Sequence, residues 1–223
     1  VIDSIYSSQL SSIVFSLNQY SDDVINSWAN TIDNPQNNPL KIDSLMESLI
    51  QRNLALKAVF FASDTSIGKY YSDSIFSFES NNEKDFIGET LLKNETEIQK
   101  LLKYFDVGYR QIHPVETDLE QTTLLLFALV SPEKEYNICG LFIDSEAFIK
   151  ENLGPKFQYM AQDKFFISAF NRKTSEVVYT NDLFDDDEHK IRIKEALWLF
   201  KSYEIGIQLD GDPIEEMVNE RRK

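Results

Sequence analysis

The chain has 223 residues, 42% hydrophobic and 13% aromatic, enough to bury the core of one sizeable domain or two small ones. Its 37 acidic and 22 basic residues give a formal charge of -15, which argues against a nucleic-acid surface and disfavours anionic membranes, because both need cationic side chains. Its one cysteine, Cys139, excludes an internal disulfide and reads as a small buried hydrophobe.

Residues 1–33 carry the most regular pattern. Ile2, Tyr6, Leu10, Ile13, Leu17, Tyr20, Val24, Trp28 and Ile32 recur every three or four positions, which predicts one long helix with an apolar stripe. The opposite face is built from Ser4, Ser7, Ser8, Ser11, Ser12 and Ser16 and holds no charge between Asp3 and Asp22. Such a face either lets a second helix approach closely or is simply solvated. The turn-rich Asp33 to Pro39 ends this helix, and a second follows with Ile42, Leu45, Leu49 and Ile50 on one side.

The pattern then switches to strands, "LKAVFFASD" and the shorter "GKYYSDS". Helical spacing returns over Glu89 to Phe105, and "VGYRQIHPV" reads as extended, since Pro114 biases His113 toward the β region. "TTLLLFALVS" and "YNICGLFID" predict an antiparallel hairpin across the short "PEKE" connection. Asp144 or Ser145 is placed to cap a following helix, which Gly154-Pro155 is expected to stop. "KFFISAFN" and "SEVVYTND" form a second hairpin, "IRIKEALWLF" fits helix or strand, "YEIGIQL" is a last strand, and Pro213 opens a final helix. Hairpins with segregated helices indicate α+β rather than a doubly wound parallel sheet.

No nucleophile elbow, P-loop, dinucleotide fingerprint or zinc spacing occurs, so no catalytic residue, metal ligand or cofactor is assigned. His113 and His189 have no cysteine or histidine three or four positions on, and "DLFDDDEH" lacks the ligand alternation and central glycine of an EF-hand, so it reads as a solvated acidic loop. The candidate binding site is "YFDVGYRQIHP". Arg110 is suited to clamp a small carboxylate, Tyr109 and His113 to wall a pocket, and Tyr70 and Tyr71 on the short strand to face the same space. On that expectation, Arg110→Ala abolishes binding of an anionic ligand and leaves the melting temperature nearly unchanged.

With its elements in this order, the chain resembles the extracytoplasmic sensor regions of bacterial two-component histidine kinases built from PAS-like or Cache-like modules. The residues that carry the resemblance are the long first helix, "LALKAVFFAS", "YNICGLFIDSEAFIKENLGPKF", "DKFFISAFNRKTSEVVYTND" and "YEIGIQLDGDPIEEMVNERRK". It implies a stalk helix over 1–33, a membrane-distal PAS/Cache-like sensor module over 39–160, a smaller membrane-proximal β module over 161–210, and a C-terminal helix over 211–223 leading to a transmembrane segment. The stretch from Lys164 to Leu209 is short for a full second module, so it is either a reduced module or part of one elaborated module. Both ends of the chain read as cut, which fits an excised piece of an inner-membrane protein lying in the periplasm. The resemblance further implies a small-molecule or periplasmic protein partner and a homodimer through the N-terminal helix, with motion relayed by the terminal helices. The rival expectation is a secreted or lipid-anchored protein-interaction module.

Overall fold

The computed structural model describes residues 2–33, 41–63, 67–73, 76, 83–130, 136–161, 165–181 and 193–209. The expected acidic loop at 182–189 and the expected C-terminal helix at 211–223 lie outside them. The architecture is α+β, with a long N-terminal helix and two antiparallel sheets. Two compact units divide the chain: residues 22–148 form one, and residues 1–21 with 149–223 form the other. Helix α1 (Ile2–Asp33) contributes residues to both units.

The unit of residues 22–148 is built on five strands: β1 (Leu56–Ala62), β2 (Ile67–Ser72), β3 (Ile112–Val115), β4 (Thr122–Ala128) and β5 (Ile138–Asp144). Their order is β2-β1-β5-β4-β3, every pairing antiparallel, so β1, β4 and β5 are interior strands. Interior position explains the near-continuous apolar runs "LKAVFFA" and "ICGLFID", because both faces of these strands are covered. The C-terminal part of α1 and helix α2 (Ile42–Arg52) accompany one face, where Trp28 meets Phe148 edge to face at 6.0 Å. Helices α3 (Glu83–Lys93) and α4 (Glu95–Asp106) cover the other, where Ile87, Ile98 and Leu101 pack with Phe60, Leu126 and Phe142.

The apolar stripe of α1 is buried as Leu10, Ile13, Val14, Leu17, Ile25, Trp28, Ala29 and Ile32. Ile25 replaces the expected Val24 because 3.6 residues per turn drifts from a strict three-four alternation over so many turns. Ser4, Ser7, Ser8, Ser11 and Ser12 are exposed.

Two local expectations are corrected. The single helix over Glu89 to Phe105 is two helices that begin earlier, at Glu83, and break at Asn94, whose side-chain amide donates to the Thr90 carbonyl at 2.8 Å and competes with helix propagation. Gly154-Pro155 does not stop the helix after β5. Helix α5 (Ser145–Phe148) passes into a π-helical turn, Ile149–Leu153, and then into α6 (Gly154–Ala161). Pro155 sits in the first turn of α6, where its missing N–H costs little. Asp144 is the cap, its carboxylate accepting from the Ala147 amide at 2.9 Å. Of the two alternatives left open for "IRIKEALWLF", the strand is found: β8 (Lys194–Ala196), followed by a turn.

In the other unit, β6 (Phe165–Asn171) lies between β7 (Val177–Thr180) and β9 (Tyr203–Leu209), with β8 outside β9. The first half of α1 belongs to this unit. There the Asn18 side chain accepts from the Trp198 amide at 2.9 Å, Ser11 donates to Glu195 at 2.9 Å, and Phe15 stacks edge-on against Trp198 at 5.9 Å.

Candidate functional site

Strand alternation decides which of the expected site residues can meet. Register joins Tyr70, Phe60, Gly140, Leu126 and His113 into one row across the five strands. Tyr70 and His113 therefore share the face covered by α3 and α4 but sit on its two edges, four strand spacings or roughly 19 Å apart. Tyr71, next to Tyr70, faces the opposite side, where its hydroxyl donates to Asp43 on α2 at 2.6 Å and its ring meets Phe61 edge-on. The five residues do not form one pocket.

Tyr109 and Arg110 have structural explanations that the sequence pattern concealed. Helix α4 ends with Gly108 at φ 87, the Gly108 amide bonded to the Phe105 carbonyl at 2.9 Å and the Tyr109 amide to the Tyr104 carbonyl at 3.0 Å. This is a Schellman cap, and its usual apolar clasp is the Tyr104–Tyr109 ring contact at 6.2 Å. Tyr109 itself is 62% exposed.

Arg110 turns inward. Its guanidinium forms an ion pair with Asp33 and donates to Asn30 at 2.6 Å, both near the end of α1, and it lies over the rings of Phe105 and Phe127. The pair is enclosed, with side-chain exposures of 13% and 10%. The Asp33 carboxylate also accepts from the Val130 amide at 2.8 Å. Burial pushes the Asp33 carboxyl above its ordinary value, against the Val130 amide and the Arg110 charge that pull it down. Arg110 therefore ties α1 to the segment leading into β3, and on this geometry Arg110→Ala is expected to lower the melting temperature rather than leave it nearly unchanged.

An open space lies elsewhere, on the α3/α4 face at the end of the sheet where β1 leaves and β2 and β5 enter. A cavity of about 310 Å³ is floored by Ala62, Ile67 and Ile138 and walled by Gly88, Leu91 and Leu92 of α3 and by Ile98 of α4. Ser63, Glu95 and Gln99 supply its polar groups. The volume is at the lower end of small-molecule sites, and the composition, mainly apolar with a few polar atoms at the rim, is that of such sites. The register shows where the room comes from: Ala62 pairs with Ile138 in the row beside Phe60–Gly140–Leu126, and alanine leaves space where its neighbour in that row is phenylalanine.

Three chains of known structure are similar to this one over most of their length. The sensory domain of the Campylobacter jejuni chemoreceptor Tlp3 with isoleucine bound is 12% identical, with 96% of this chain and 97% of that chain covered and a TM-score of 0.44. The ligand-binding domain of the Pseudomonas aeruginosa amino-acid chemoreceptor PctC with GABA is 7% identical, with 93% and 99% covered and a TM-score of 0.45. The ligand-binding domain of the Pseudomonas fluorescens chemoreceptor CtaA with L-serine is 10% identical, with 94% and 97% covered and a TM-score of 0.46. No family model and no curated protein matches the sequence. No residue role is transferred from these structures.

Of the five expected residues, Tyr70 alone lies on the cavity's side of the sheet near its β2 edge; burial, with Glu83 nearby, pushes its phenol up to about 12, so it stays protonated. The cavity residues themselves went unrecognised. Their one signal is Gly88, a glycine inside a helical stretch. Cys139 is fully buried on the opposite face and burial raises its thiol well above the ordinary range, which fits an inert core residue.

Proposed function

We propose that this chain is a non-enzymatic sensory module of the PAS/Cache-like kind, the extracytoplasmic part of a membrane receptor, with a small molecule bound in the cavity between the five-stranded sheet and α3/α4. The supporting observation is that cavity: a roughly 310 Å³, mainly apolar space with a few polar groups in its lining. A histidine kinase is the proposed output, as the sequence resemblance implies. Residues 1–33 are the proposed stalk, residues 39–160 the membrane-distal module and residues 161–210 the membrane-proximal one, with membrane segments on either side. Among the described residues no helix is long and apolar enough to cross a membrane.

Signalling in this proposal is a population shift. A ligand acts by binding one of two arrangements better than the other, and a tenfold preference corresponds to about 1.4 kcal/mol. The exposed, uncharged serine face of α1 is the proposed contact for a second copy. A second reading, a protein-interaction module, is favoured by Phe15 and Trp198, which stack on each other while 55% and 49% exposed. The test is a melting screen of the purified protein against small metabolites, with hydrogen exchange on any hit. The sensory proposal expects at least one compound to raise the melting temperature and to slow exchange in α3, α4 and β2. A screen with no stabilising compound, together with capture of a protein partner that Phe15→Ser or Trp198→Ser abolishes, favours the second reading.

A further inference from the structure

Helix α3 carries a glycine at its centre with no backbone reason to be there. Gly88 is not among the positive-φ glycines, so any L residue can adopt its conformation. Among the described residues a Cβ added to it meets only the Ile67 Cδ1 atom, at 3.7 Å, an ordinary contact. The other crowded glycines differ: a Cβ on Gly140 would lie 2.0 Å from the Phe60 ring, and one on Gly68 2.1 Å from the Tyr136 ring. Glycine inside a helix is less favourable than alanine, yet here neither conformation nor packing requires it. What its missing side chain leaves is space, and that space opens into the cavity.

The lining also has a sign. Among the described residues Glu95 is its one charged group, Gln99 and Ser63 are its neutral polar ones, and no lysine or arginine reaches it. Arg110, the cation expected to bind an anion, is held by Asp33. Among the described residues a carboxylate entering this cavity meets no cationic partner for the hydration it loses, whereas an ammonium meets Glu95.

We infer that Gly88 is the size-determining residue of this cavity and that its ligand is a small aliphatic molecule ending in an ammonium group. This rests on the cavity being the sensory site proposed above. Glu95 is exposed, so its contribution to affinity is modest, about threefold.

The test uses three probes with the same branched carbon skeleton and different ends: isoamylamine, isoamyl alcohol and isovalerate. Melting shifts are recorded at neutral pH for the wild type, Gly88→Ala, Gly88→Leu and Glu95→Gln. The expected result is a larger shift with the amine than with the alcohol and the smallest with isovalerate. Glu95→Gln should bring the amine down to the alcohol by about threefold. Gly88→Leu should remove all shifts, while Gly88→Ala, which melts at or above the wild type, shows that substitution there does not damage the fold. Isovalerate binding best overturns the ammonium assignment and leaves the cavity standing as the site. Undiminished amine binding by Gly88→Leu overturns the role of Gly88. No amine shift in the wild type overturns the inference, and the sensory proposal is then judged by the metabolite screen alone.

Discussion

The two faces of the five-stranded sheet are finished in opposite ways. On the α1/α2 face the large polar and aromatic groups named above are partnered: Trp28 meets Phe148, Tyr71 donates to Asp43, and Arg110 closes on Asp33. On the α3/α4 face the row Phe60–Gly140–Leu126 is packed tightly, and the adjacent row opens into a cavity beside Gly88. The difference shows that residues suited to chemistry can be structural, while an open cavity can be lined mainly by a glycine, an alanine, leucines and isoleucines.

Substitutions on the closed face should have the largest effects. Arg110→Ala leaves the partly buried Asp33 carboxylate without its cation and should cost about 2–3 kcal/mol in chemical denaturation at neutral pH. An unchanged midpoint would mean that the ion pair does not hold α1 in place. Acid should lessen this loss. The folded value of Asp33 is already raised from 3.8, so its stabilising share is present below that value and is lost as pH rises through the higher folded one. Removing Arg110 raises it further, and the deficit of Arg110→Ala should shrink as pH falls toward 4. A deficit that stays constant or grows in acid would show that Asp33 is not the group left unpaired.

The glycines sharpen the contrast within the open face. Gly140→Ala drives a methyl group into the Phe60 ring and should cost about 1–3 kcal/mol. Gly88→Ala should instead stabilise the ligand-free protein by up to about 1 kcal/mol, since it gains helix propensity and meets only ordinary contact. Equal losses at both positions would show that α3 is packed as tightly against the sheet as β5 is within it. The smallest effect is expected from Tyr109→Ser, about 0.5 kcal/mol, because it removes only the apolar clasp of the α4 cap and leaves Gly108 in place.

Much of the fold was legible because periodicity reports burial directly. The stripe of α1 and the double-sided apolar runs of β1, β4 and β5 each predict their own elements. The break at Asn94 and the helical path through Pro155 were not legible, because both depend on side-chain and first-turn hydrogen-bond choices that tertiary packing decides. The site was harder still. The cluster "YFDVGYR" looked like a pocket because aromatic residues and arginine serve binding sites and helix caps alike. Only the register, which sends Tyr70 and Tyr71 to opposite faces, and the reach from Arg110 to Asp33 separate the two uses.

The most direct test is a mass measurement of the protein purified under native conditions, wild type beside Gly88→Leu and Tyr109→Ser. A small molecule retained by the wild type and by Tyr109→Ser but absent from Gly88→Leu is the predicted result. The same molecule retained undiminished by Gly88→Leu would contradict the assignment of the cavity as the binding site.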